Sequence, residues 1–196
     1  ILNSHSTAAM VFGAAQWWYS WTGRIDDQDR DFVTRVSVQP NSLIQPPELL
    51  IALLEKETVT TTLALIRRDV VVRAGGFEET FRGLYEDQVF LAKICSKEPV
   101  YVADACWYKW RKHPDSSCSH AVAAGRYSAA RRAYLSWLLN YLSQEGVRNR
   151  ELTQTLTRQI WKLRHPFLIQ IWEGVKNPRK IQTTAAGIAH YLFPTA

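Results

Sequence analysis

Apolar residues fall in short blocks whose spacing changes along the chain. Ala8–Gly13 (AAMVFG) is a compact apolar block closed by glycine, and it predicts a first strand. An aromatic cluster follows, Trp17, Trp18, Tyr19 and Trp21, and then an acidic loop over Asp26–Asp31. Pro40, Pro46 and Pro47 punctuate a connector, and Pro47 suits the first turn of a helix reaching about Lys56. Thr60–Ile66 is β-branched and reads as a strand. Arg68–Ala74 carries opposing signals. Val70-Val71-Val72 favours a strand, whereas Asp69 as a cap and Gly75-Gly76 as a stop favour a short helix. The spacing of Val89, Phe90 and Ile94 predicts a helix over Glu86–Ser96, and Val100–Trp110 reads as a further strand. After Pro114 the pattern turns helical, over Val122–Leu142 and Glu151–Arg164, with breaks at Gly146 and Pro166. Strand and helix thus alternate to about His120, and helices alone follow. The expectation is an α/β sheet region over 1–120 with an all-helical extension over 121–196.

Composition adds limits. At 46% apolar residues the chain can build a core, which excludes a disordered tail as the reading of the whole. The apolar runs around Leu49–Leu54 and Leu135–Leu139 fall well short of the roughly 20 residues that span a bilayer. No basic segment precedes an apolar stretch at the N-terminus, so no signal peptide is visible. The chain does not begin with Met, which suggests a fragment. Three cysteines, Cys95, Cys106 and Cys118, make no disulfide framework and point to a reducing, cytoplasmic setting. Charge is unevenly spread. Residues 1–120 hold 13 Lys and Arg against 15 Asp and Glu, a net of −2, whereas residues 121–196 hold 11 against 3, a net of +8. Such a tail suits an anionic membrane surface, an acidic partner or nucleic acid, or it is simply a solvated helix surface.

Three motifs stand in order: Gly75-Gly76-Phe77-Glu78-Glu79, then Tyr85-Glu86-Asp87-Gln88, then Tyr108-Lys109-Trp110-Arg111-Lys112-His113. Together they resemble the second half of family 2 glycosyltransferases. Those enzymes show a Gly-Gly-Phe-(Asp/Glu)-Glu turn, a Glu-Asp pair opening a helix about ten residues on, and a strand ending in a Tyr/Arg/His cluster. The resemblance covers roughly residues 8–120, and the helical tail matches no motif. It implies a partial GT-A (Rossmann-like) domain, a twisted and mostly parallel sheet with helices on both faces. It also implies transfer of a sugar from a nucleotide-sugar to a glycan or other hydroxyl acceptor, with inversion. The nucleotide site and the Asp-x-Asp carboxylates that hold a divalent cation, Mn²⁺ or Mg²⁺, would lie in a missing N-terminal half. The chain alone would then be inactive, with an unpaired sheet edge.

Carried over residue by residue, the resemblance makes Asp87 the general base, with Glu86 supporting the acceptor or its loop. An acid in the first turn of a helix is also what the helix dipole alone favours. His113 matches a position that completes the metal site in several members, or it caps a strand end through the backbone. Arg111 and Lys112 would face the diphosphate, or stand as solvated loop cations. Trp17, Tyr19 and Trp21 alternate, so an extended backbone would put them on one face, as a sugar platform or as core. Asp27-Gln28-Asp29 and Asp29-Arg30-Asp31 spell Asp-x-Asp but lie in a polar loop after the first strand, the wrong place for that motif. Cys106, His113, Cys118 and His120 give a competing zinc reading without the close Cys pair of most structural sites, and Cys106 would more often be buried packing in its strand.

Two other readings compete with the enzyme. One is a non-catalytic module derived from a glycosyltransferase, docking a membrane or a protein through Arg126, Arg131, Arg132, Arg158, Lys162 and Arg164, with Arg131 on a different helix face from Tyr134, Leu135 and Leu138. The other, nucleic-acid binding, lacks any recognised motif and ranks last.

Overall fold

The computed structural model describes residues 1–55 and 64–168. It is mixed α/β, with a curled five-stranded sheet and helices packed against it. The strands are β1 (Met10–Trp18), β2 (Phe32–Thr34), β3 (Ser42–Ile44), β4 (Ala64–Ile66) and β5 (Val100–Arg111). The helices are α1 (Glu48–Glu55), α2 (Arg68–Arg73), α3 (Glu86–Cys95), α4 (Ser117–Ala123), α5 (Tyr127–Gln144) and α6 (Arg150–Arg164).

β1 is the spine of the sheet. On one side it runs parallel to β5, from Met10 opposite Val100 to Trp18 opposite Arg111. On the other side it pairs antiparallel with two short strands in turn, β4 along Met10–Phe12 and β2 along Ala15–Trp17. β3 lies antiparallel to β5 at Val100–Val102. The mostly parallel sheet that the resemblance implied is therefore mixed, with one parallel pairing among the described residues. Gly13 does not end the first strand, as its place in the apolar block had suggested. β1 continues past it into the aromatic cluster because β5 supplies a partner along its whole length. At Gly13 the two strands slip register, and the Trp107 ring and the Ala105 carbonyl come within 2.8–2.9 Å of where a Cβ would stand. Glycine is needed there for close approach rather than for a turn.

The conflict over Arg68–Ala74 resolves as helix. Asp69 does not cap it, since Arg67 occupies the N-cap; it lies in the first turn and accepts from Arg73 Nη1 at 2.5 Å. The expected strand Thr60–Ile66 is seen only as β4, its residues 60–63 lying outside the described set, as does Lys56 at the expected end of α1. The helix expected over Val122–Leu142 is broken at Gly125, whose φ of +67° ends α4 and frees α5 to turn into the core. β2 and β3 were not legible, being three residues each and held by longer neighbours.

The turn at Gly75-Gly76-Phe77-Glu78 is pinned to α3. Lys93, only 6% exposed, donates to the Gly76 carbonyl at 3.1 Å and pairs with the Glu78 carboxylate. Phe77 stacks on Phe90 at 4.6 Å. α3 is buried from Val89 to Cys95. Val89 and Leu91 join the main core, while Phe90 and Ile94 join a smaller cluster with Ala9 and Val70.

His120, where a boundary was expected, lies within α4. Tyr134, Leu135 and Leu138 of α5 and Leu152 and Leu156 of α6 share one cluster with Met10 and Phe12 of β1 and Leu49 of α1. Each fully buried leucine of this kind contributes about 1.5–3 kcal/mol. Arg131 is not on a separate basic face: it precedes Tyr134 and Leu135 by three and four positions, so it shares their face, is 3% exposed and donates to Gln159 Oε1 at 3.1 Å. Among the described residues no helix is long and apolar enough to cross a membrane.

Candidate active site

The carboxyl ends of β1 and β5 finish side by side, because the two strands are parallel and in register there. Crevices of open α/β sheets lie beyond such ends. Lys112 N–H donates to the Trp18 carbonyl at 3.0 Å and carries the pairing one step past the strands. The Trp21 indole then donates to the Lys112 carbonyl at 3.0 Å and folds the following turn, Ser20–Thr22, over the end of β5.

The aromatic residues do not form the single row expected of them. Of the three, Trp17 alone lies within β1; the backbone leaves the extended conformation at Tyr19, so Tyr19 and Trp21 are turned elsewhere. Trp17 instead finds partners across the sheet, stacked on Phe32 at 5.1 Å and edge-on to Trp110 at 5.0 Å. Over this pair sits Lys112, its Nζ 4.1 Å from the Trp17 ring centre and 3.8 Å from that of Trp110. Burial lowers the ammonium's pKa, and the charge of Cys118 opposes that shift. Two indole faces stabilise the cation without neutralising it. Trp110 was not singled out in the sequence, although its place two residues before Lys112, on the same strand face, was the signal available. Arg111 is exposed beside it.

Glu86 and Asp87 open α3. Tyr85, just before them, holds a left-handed backbone (φ +70°) that a bulky residue rarely adopts. It is buried and stacks on Tyr134 at 5.1 Å, so the core fixes the turn that aims the two acids. Asp87 Oδ1 accepts from Gln88 N–H at 2.8 Å. Glu86 Oε2 is buried without a hydrogen-bond partner among the described residues, and so is Trp17 Nε1.

Cys118 joins these pieces. Burial pushes its thiol up, the Lys112 charge pulls it down, and Asp87 and Glu86 push it up again. One half-buried thiol thus feels the lysine at the strand ends and both acids of α3. The sequence had offered Cys118 only as a zinc ligand. Cys106, its supposed partner, is exposed rather than packed, with its thiol toward the Tyr108 carbonyl at 3.6 Å.

The acidic loop is structural. Asp31 accepts from Tyr19 N–H (2.6 Å), Ser20 N–H (3.0 Å), Ser20 Oγ (2.7 Å) and Gln16 Nε2 (3.1 Å). Burial works against its charge, but these donors outweigh it and hold the carboxyl below its ordinary value. Asp27 is likewise held low, first by Thr22 Oγ1 at 2.7 Å and then by Arg30 at 2.7 Å. Both acids close the loop that carries Tyr19 and Trp21, and Arg30 covers the Tyr19 ring at 4.3 Å.

The His113 ring lies 6.2 Å from Trp21, edge-on. Among the described residues no three His, Cys, Asp or Glu side chains are grouped to hold a metal ion. Comparisons with protein-family models, curated proteins and solved structures return no match.

Proposed function

We propose that this chain forms the acceptor side of a GT-A, Rossmann-like glycosyltransferase domain of family 2, with Asp87 as general base. The observation that carries the reading is the Glu86-Asp87 pair opening α3 behind the buried, left-handed Tyr85, together with Lys112 seated over Trp17 and Trp110 at the ends of the parallel strands. A buried polar atom beside Asp87 also supports it. Glu86 Oε2 lacks a donor, which an acceptor hydroxyl supplies.

In this reading the acceptor hydroxyl approaches the Asp87 carboxylate. Its oxygen bonds to the anomeric carbon of the donor while its proton passes to Asp87. The anomeric C–O bond breaks, and the nucleoside diphosphate leaves with the electron pair. Lys112, held between Trp17 and Trp110, and Arg111 at the exposed edge offset the charge on the departing diphosphate. The indole faces give the sugar an apolar wall. A divalent cation, which would help carry the diphosphate charge, belongs to carboxylates outside this chain, with His113 the one side chain here assigned to it.

Asp87→Asn in the protein that carries this chain tests the reading, with a panel of nucleotide-sugars and product detection. Transfer falls by about 10²–10⁴, while nucleotide-sugar binding by calorimetry is unchanged. Full activity in the variant, or loss of binding along with it, overturns the assignment.

A further inference from the structure

The outer side of α6 has chemistry that neither the core nor the strand-end site uses. Its inner side is committed, with Leu152, Thr155, Leu156 and Gln159 buried. The helix carries one acid, Glu151 in its first turn, against Arg150, Arg158, Lys162 and Arg164. Arg158 is neutralised by Glu55, whereas Lys162 and Arg164 are exposed and form no ion pair among the described residues. Beside those two cations, at the same end, stand three large apolar groups in solvent: Trp161 at 45% exposure, Phe167 at 70% and Leu168 at 48%. Trp161 has the His165 ring at 4.9 Å, which leaves its far side open.

We propose that this end of α6 is a peripheral contact with an anionic lipid surface. Cations and bulky apolar side chains side by side are what a bilayer interface accommodates together. Headgroup charge attracts Lys162 and Arg164, and the boundary between headgroups and acyl chains takes up the indole, the phenyl ring and the leucine. Tryptophan favours that boundary because one edge is polar and the rest apolar. The net charge of +8 over residues 121–196 adds long-range attraction of the same sign. Nucleic acid fits less well, since Leu168 has no flat face for a base to stack on.

The test is sedimentation of the full chain with phosphatidylcholine vesicles, with and without phosphatidylglycerol, at low and high salt. The chain partitions to the anionic vesicles only, and salt releases it. The pair Lys162→Glu and Arg164→Glu lowers the partition coefficient by on the order of tenfold or more. The triple change Trp161→Ser, Phe167→Ser and Leu168→Ser weakens it comparably while leaving the remaining binding salt-sensitive. All five positions are exposed, and circular dichroism checks that each variant keeps the fold. Partition equal on neutral vesicles, no partition at all, indifference to the charge reversal, or tighter capture by RNA or an acidic protein in direct competition each overturns the proposal.

Discussion

Single residues at the strand ends explain how a loosely patterned stretch becomes a site. Gly13 is the sharpest case, because it stands where β5 carries extra residues against β1 and Trp107 folds over the gap. A methyl group there meets the indole at 2.8 Å and a backbone carbonyl at 2.9 Å, and the carbonyl cannot rotate away. Gly13→Ala therefore destabilises the chain by about 1–3 kcal/mol, read as a lower urea midpoint together with a change in tryptophan fluorescence. An unchanged midpoint means that β1 and β5 approach less closely than described. Tyr85 makes the complementary point: its left-handed backbone is tolerated because the aromatic stack with Tyr134 holds it. Neither constraint has a signature in the sequence, since a glycine in a strand and a tyrosine before a helix are both ordinary in isolation.

Among the elements, α3 links the glycine turn to the two acids. Its tether, Lys93 with Glu78 and the Gly76 carbonyl, is almost wholly buried on the lysine side. Breaking such a pair costs more than replacing its charge by bulk. Glu78→Gln leaves the buried ammonium uncompensated and is expected to destabilise by about 2 kcal/mol, whereas Lys93→Met leaves behind a Glu78 carboxylate that water reaches and is expected to cost less, each by chemical denaturation. Equal costs for the two changes count against a buried tether. α3 and α6 were legible in the sequence nearly to the residue, because apolar spacing and breakers agreed there. β5 was legible for the same reason, whereas β1 was cut short, because glycine at a strand end and glycine at a close approach look alike. β2 and β3 could not be read, since three residues carry no period. Of the site, Glu86, Asp87 and Lys112 were visible as residue types in order. The roles of Trp110 and Cys118 were not, because both depend on pairing between segments far apart in the chain.

At the scale of the whole molecule, the helices after His120 share a core with the sheet, so the two regions are expected to unfold together. Leu138→Ala, at a fully buried position of α5, costs about 2–5 kcal/mol. Far-ultraviolet ellipticity and tryptophan fluorescence should then shift as one transition; separate transitions mean that the helices form a unit of their own. The same core makes stability depend on alkaline pH. Burial pushes the Cys95 thiol from an ordinary 9.0 up to about 12, and the buried Tyr134 phenol is raised as well. The unfolded chain loses these protons first, so stability is whole below about pH 9 and falls as the pH climbs towards 12, by roughly 4 kcal/mol for the thiol. Lys112 works weakly the other way, because burial lowers its pKa and the folded chain is relieved of a desolvated charge as the pH rises towards 10.5. The net expectation is a urea midpoint that drops above pH 9, with a shallower drop in Cys95→Ala; a flat profile contradicts it. The long reach of the central pairing also bears on synthesis. β1 leaves the ribosome before its parallel partner, which begins 90 positions later, at Val100 opposite Met10. At translation speeds of about 5–20 residues per second, that wait lasts on the order of 10 s. During it, among the described residues, an apolar strand ending in two tryptophans has the three-residue pairings of β2 and β4 to hold it. A nascent chain in that state exposes apolar strand surface to aggregation, and a slow codon placed between β4 and β5 lengthens its exposure.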